Sequence, residues 1–206
     1  MSRPFPYDQR VIKSTAFIAE GPPSRDAEQI FEQYAGSDGY VANYARVWCQ
    51  RPEILTAFAE LRAKLTGESS LTQREIAVLT VATAAALGDS YCSLAWGGRL
   101  ATLTDEGTAA AAVRGDDSEL TQREQALLAW ARAVVADPNA TRESDVDLLR
   151  SAGLDDREIF EATVWIGFRL AFSTINDALG IQPDRELAES VPAAVREAVA
   201  FGRPPA

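Results

Sequence analysis

The phrase Leu71-Thr72-Gln73-Arg74-Glu75 returns as Leu120-Thr121-Gln122-Arg123-Glu124, with a close variant at Leu154-Asp155-Asp156-Arg157-Glu158. In each copy a residue suited to capping a helix is followed three positions later by a Glu that can reach back to a free backbone N–H. The preceding Leu is placed to staple onto the new helix. Three helix starts are therefore written into the chain. No segment alternates as a half-buried strand would, so the expected architecture is all-α, a bundle with helical-hairpin repeats.

Capping, glycine and proline signals divide the remainder. Early prolines and the lack of a sustained period predict an extended arm over 1–23. A helix is expected after Ser24, and another capped by Ser37 and carrying Tyr40, Tyr44, Val47 and Trp48. Pro52 suits the first residue of the next, which ends near Gly67. Further helices are expected from Thr72 to Leu87 with Gly88 as the stop, from Thr104 as cap to Arg114, from Thr121 to Ala136, and between Thr141 and Ala152. The longest should run from Asp155 to about Leu179. Its apolar residues, Phe160 and Trp165 among them, lie almost all round, so it must be buried on most sides or partly covered by a second subunit. One helical domain over 24–183 and a late-docking amphipathic helix and tail over 184–206 complete the expected organisation.

Composition excludes several function classes. The chain has 206 residues, 47% of them apolar, and a net charge of −10 without a basic cluster. That charge opposes binding to nucleic acid or to anionic membrane surfaces. No apolar run approaches the roughly 20 residues a membrane span needs, and the first residues lack a signal core, so a cytoplasmic location is expected. Two cysteines, Cys49 and Cys92, are too few for a disulfide scaffold. The chain has no histidine, which removes Ser-His-Asp triads, Cys-His pairs and the usual zinc sites. No metal and no cofactor is expected.

The junction Leu87-Gly88-Asp89-Ser90-Tyr91-Cys92-Ser93-Leu94-Ala95-Trp96 holds the best site candidate. If a helix restarts with Asp89 or Ser90 as cap, Cys92 falls in its first turn, where free N–H groups and the helix dipole favour a thiolate. Tyr91, Leu94, Ala95 and Gly98 share one stripe, and Cys92 shares another with Trp96.

This junction resembles the active-site motif of the carboxymuconolactone decarboxylase superfamily, especially its alkylhydroperoxidase D-like branch, in which Cys-x-x-Cys-x-x-x-His follows an acidic residue on the preceding helix. Cys92 takes the second cysteine position. Asp89 stands at the first and Trp96 at the histidine. The family's acidic position falls on Ala77, with Glu75 two residues early. The phrases Arg51-Pro52-Glu53, Leu71 to Glu75 and Ala178-Leu179-Gly180, and the segment from Leu120 to Gly180, resemble peroxidase-related members. The resemblance implies an all-helical, homo-oligomeric protein acting on a small molecule, an organic hydroperoxide in the redox reading.

On that reading Cys92 is the nucleophile of a thiol peroxidase-like oxidoreductase, Glu75 or Asp89 handles the proton, and Tyr91 and Trp96 line an apolar substrate pocket. Each residue also has a structural reading. Cys92 and Cys49 can be small core residues, with Cys49 alternatively resolving an oxidised Cys92. Glu75 and Asp89 can be helix caps, and Tyr91 and Trp96 core aromatics. Arg169, in the most apolar helix, requires a carboxylate partner or solvent, and a structural ion pair is the expected arrangement. The competing functional reading is a redox-inactive small-molecule binder or a non-redox decarboxylase or lyase.

Overall fold

A computed structural model describes residues 15–206, and among these it contains eleven helices and no strand. They are α1 (Arg25–Asp38), α2 (Asn43–Trp48), α3 (Pro52–Gly67), α4 (Gln73–Leu87), α5 (Ser90–Leu103), α6 (Glu106–Arg114), α7 (Gln122–Ala136), α8 (Glu143–Ser151), α9 (Asp156–Ala178), α10 (Arg185–Ser190) and α11 (Ala193–Ala198). The part of the expected N-terminal arm over 1–14 lies outside the described residues. From Thr15 to Ser24 the chain is free of helix and is tied down where Phe17 N–H donates to the Leu179 carbonyl at 2.8 Å.

All three repeats form capping boxes, at Thr72 with Glu75, Thr121 with Glu124, and Asp155 with Glu158. Beyond capping, the boxes exchange ion pairs. Arg74 of the first repeat forks onto Glu124 of the second, its Nη2 lying 3.0 Å from Oε2, and Arg123 of the second reaches Glu75 of the first. Arg123 continues to Glu158 of the third repeat and donates to the Gly153 carbonyl at 2.7 Å. The starts of α4, α7 and α9 are thus clamped at one end of the bundle.

Helix α4 is the central element, packing closely on α5, α7 and α9, and all its residues from Glu75 to Ala84 are buried. Most of α9 is buried or half-buried, packed on α4, α7 and α8, as its apolar surround predicts. What remains is an exposed strip of Phe160, Gly167, Ala171 and Thr174, with Phe160 68% exposed. Ser37 does not start a helix: it lies in the last turn of α1, which stops at Gly39 with φ +82°. Asp105 rather than Thr104 caps α6, its side chain accepting from Thr108 N–H at 2.9 Å. The single tail helix expected over 184–200 is two, because Pro192 lacks an N–H and holds Val191 extended between α10 and α11.

The clamp carries a pH dependence. At Glu124, burial raises the carboxyl pKa but is outweighed by Arg74 and the Thr121 cap, and Arg123 likewise holds Glu158 low. A carboxyl depressed in the folded state stabilises fully above its unfolded value of about 4.3, and that stability is lost as pH falls through the folded value. Denaturant titrations should show stability dropping below about pH 4.3. A Glu124→Gln protein should be less stable by about 1–3 kcal/mol at pH 7 and show a weaker acid dependence.

Candidate active site

The site begins where α4 ends. Gly88 adopts φ +75°, which favours glycine, and Asp89 N–H closes the turn onto the Ala84 carbonyl at 2.9 Å. Asp89 then caps α5, its Oδ1 accepting from Cys92 N–H at 2.9 Å. This fixes Cys92 in the first turn, as the junction predicts. Asp89, Cys92, Ser93 and Trp96 share one face of α5 by their spacing. Opposite them α9 presents Arg169, Ser173 and Asn176, again on one face.

The two faces meet at the sulfur. Arg169 Nη2 donates to Cys92 Sγ at 2.8 Å, and Ser173 Oγ lies 3.6 Å from it. Cys92 and Arg169 are each only 4% exposed, and Asp89 is fully buried. The guanidinium is packed among rings, with its carbon 5.6 Å from the centre of Trp96, 6.0 Å from Trp165 and 5.0 Å from Phe172, favourable cation–π placements. Thr80 of α4 orients Trp165 by accepting its indole N–H at 2.9 Å. Asn176 Oδ1 accepts the Trp48 indole N–H at 2.8 Å.

The carboxylate partner expected for Arg169 is absent: among the described residues none lies within salt-bridge reach, and the group facing the cation is the thiol. Four buried polar atoms in this seam have no partner, namely Asp89 Oδ2, Ser93 Oγ, Arg169 Nε and Asn176 Nδ2. Burial pushes the Cys92 thiol up to about 12, with the Arg169 charge pulling against it and the Asp89 charge adding to it. Asp177, one turn past Ser173, is raised to about 6 by burial and by Asp89.

Other expected site residues lie elsewhere. Glu75 stands at the far end of α4, about 18 Å along the helix from Leu87, engaged in its capping box and with Arg123, so it cannot serve the thiol. Tyr91 turns away from the sulfur, donates its O–H to the Asp184 carboxylate and packs edge-on against Tyr44. It joins the seam only indirectly, through Tyr44, which packs edge-on against Phe172, and it does not reach the sulfur. Trp96 does border the seam, as the support under Arg169 and edge-on to Trp165. Cys49 is a free, buried thiol at the C-terminus of α2, raised to about 11 by burial, and it is not bonded to Cys92.

Sequence assigned Arg169 to a structural ion pair rather than to the site, and did not single out Ser173. The available signal was the cation in an apolar stripe. The C-terminal segment was also missed. Ser90 Oγ donates to the Arg203 carbonyl at 2.7 Å, and Arg203 Nη2 donates to the Asp177 carbonyl at 3.1 Å. Gly202, at φ +73°, sits so near the Gly88 carbonyl and Ser90 that a Cβ there would clash. This strap closes over the start of α5. A depression of about 300 Å³ beside it, bordered by Ser90, Leu94 and Phe201, does not reach Cys92.

This architecture is the alkylhydroperoxidase D-like fold. The protein named as an alkylhydroperoxidase AhpD core, an uncharacterized peroxidase-related protein from Ralstonia eutropha JMP134, superposes with a TM-score of 0.77 at 21% identity, covering 85% of this chain and 96% of its own. A peroxidase-related protein from Silicibacter sp. TM1040 gives 0.75 at 22% identity, covering 87% and 97%. A cysteine-to-alanine variant of the debrominase Bmp8 in complex with 2,3,4-tribromopyrrole gives 0.68 at 19%, covering 88% and 95%. No family profile and no curated protein sequence matches the chain.

The buried thiol sets a labelling expectation. Iodoacetamide at pH 8 should modify Cys92 in the folded protein at least roughly a thousandfold more slowly than in the unfolded chain, as mass spectrometry can follow. The reason is that a pKa near 12 leaves little thiolate. The rate should still be climbing above pH 10.

Proposed function

We propose that this protein is a thiol peroxidase-like oxidoreductase that works with one motif cysteine. Cys92 is the nucleophile, Asp89 the proton carrier and Arg169 the cationic partner of the sulfur. The observation that carries this reading is the guanidinium against Sγ at 2.8 Å, with no carboxylate among the described residues within salt-bridge distance of it. A thiolate forming there gains a charge partner already desolvated and in place.

The raised thiol implies that the resting group is S–H, so the proton leaves as the sulfur attacks. Sγ bonds to one oxygen of a hydroperoxide and the O–O bond breaks. The thiol proton passes through Asp89 Oδ2 to the departing oxygen, so thiol and hydroperoxide yield sulfenic acid and alcohol or water. Two equivalents of an external thiol then restore the cysteine, giving a disulfide and water. The external reductant follows from the missing second cysteine at the motif, where Asp89 stands.

The second reading, a redox-inactive binder or non-redox decarboxylase or lyase, is favoured by the thiol's elevation to about 12. Peroxide followed by a dimedone-type probe separates them. Sulfenic acid should be trapped at Cys92 and peroxide consumption should disappear in Cys92→Ser, whereas consumption unchanged in that variant would reject the peroxidase reading. Asp89→Asn keeps the cap, since Asn also caps well, and should slow oxidation by about a hundredfold through loss of the proton carrier.

We also propose that the protein is a cytoplasmic homo-oligomer. Two unbonded cysteines suit a reducing compartment, and no helix among the described residues is long and apolar enough to cross a membrane. The exposed strip on α9 around Phe160 suits a helix-to-helix contact with another copy. Light scattering should find an oligomer that Phe160→Glu shifts toward monomer, and a wild-type monomer at every concentration would reject this contact.

A further inference from the structure

The proposed reaction leaves the form of the oxidant open, and the unpaired atoms around the sulfur restrict it. Asp89 Oδ2, Ser93 Oγ, Arg169 Nε and Asn176 Nδ2 are all buried and unpartnered. An unmade hydrogen bond at a buried group ordinarily carries a penalty, so several within one seam mark a place built for an occupant. They lie on the two faces that bring Cys92 against Arg169 and Ser173. Three of them can donate. Asp89 Oδ2 can only accept when ionised.

An occupant matching this set offers acceptor oxygens to the arginine, asparagine and serine and one O–H to the aspartate. It must also be small. Trp165, Phe172 and Trp96 pack around the guanidinium, and the strap through Gly202 and Arg203 closes the start of α5. A bulky aryl or long alkyl group on a hydroperoxide held at these atoms would have to be placed against these rings or the strap.

Resting on the peroxidase reading, we infer that the α5–α9 seam is a closed subsite for a hydroperoxide about the size of hydrogen peroxide. Arg169, Ser93 and Asn176 donate to its oxygens and Asp89 accepts its O–H. Arg169 is then a catalytic residue, touching the sulfur through Nη2 and the oxidant through Nε. Trp96 is a positioning residue that holds the guanidinium in place. The donors also stabilise the charge that grows on the leaving oxygen when Sγ takes the other one.

The test measures the rate of sulfenic acid formation at Cys92 in the full-length protein with hydrogen peroxide and with cumene hydroperoxide. Hydrogen peroxide should be faster by roughly tenfold or more. Equal rates, or a preference for the bulky peroxide, would overturn the subsite while leaving the peroxidase reading intact. Oxidation by neither peroxide would sink the peroxidase reading and the subsite with it. Ser93→Ala supplies an independent arm because it removes an unpartnered hydroxyl without adding volume. It should raise the thermal midpoint slightly yet slow oxidation by hydrogen peroxide several-fold, while a stabilised variant with an unchanged rate would mean that Ser93 binds no oxidant.

Discussion

The exchange of arginines between capping boxes is the constraint on which the bundle depends. A capping box alone fixes one helix start. Here the Glu of each of the first two boxes also receives the arginine of the other, so α4 and α7 cannot change their relative position without separating a nearly buried carboxylate from its cation. Each Glu accepts at its own Thr N–H as well as at the guanidinium, which supplies the additional hydrogen bonds that make burial of an ion pair tolerable. Glu158 extends the same lock to α9 through Arg123. Since α4 leads into the turn before Cys92 and α9 carries Arg169, this distant end helps set the separation of thiol and guanidinium.

The fold was legible because its signals are local. Thr72, Thr121 and Asp155 announce helix starts, Gly88 announces a stop, and Asp89 as cap places Cys92 within its turn. What sequence obscured came from competition between neighbours or from tertiary assembly. Ser37 and Thr104 are good caps lying near better alternatives, a continuing helix in one case and Asp105 in the other. The apolar surround of α9 could not reveal that α4 would occupy the centre. At the site, Cys92 and Asp89 could be read from adjacent positions, whereas Arg169 is 77 residues from Cys92 and reaches it only through the packing of α9. Glu75 had its place in a motif but not in space, because its helix carries it to the opposite end.

Arg169 illustrates how a buried charge can be informative. Stacking on Trp96, Trp165 and Phe172 recovers part of the desolvation cost, yet cation–π contacts supply only about 0.5–2 kcal/mol apiece. Even when the three together approach the several kcal/mol of effective penalty for an ion removed from water, they leave its charge unneutralised. The remaining imbalance lowers the energy of any negative charge that develops beside it. Trp96 occupies the position where the resembling motif has an imidazole. In this chain the charged group comes from another helix and the motif position supplies the aromatic surface that supports it.

With Asp89 standing where the resembling motif has its first cysteine, the peroxidase cycle proposed for Cys92 would run through a different sequence of events. A dithiol can close its own disulfide as soon as the sulfenic acid forms, but Cys92 has no bonded or motif partner and its oxidised form must await an incoming thiol. On that proposal, hydrogen-peroxide-sized oxidants and larger thiols would face different barriers at the same sulfur. The oxidant needs only a small opening, whereas a thiol must bring its own sulfur into line with Sγ. The segment closing the start of α5 is held there by the Ser90 and Arg203 hydrogen bonds and the tight fit of Gly202, with no covalent tie. On the proposed reading its release is the lower-cost route toward the sulfur, because it breaks only these contacts, whereas parting α5 from α9 would pull Cys92 off Arg169 within the core. On the proposed peroxidase reading, reduction rather than oxidation is then the step that depends on movement of the C-terminal strap.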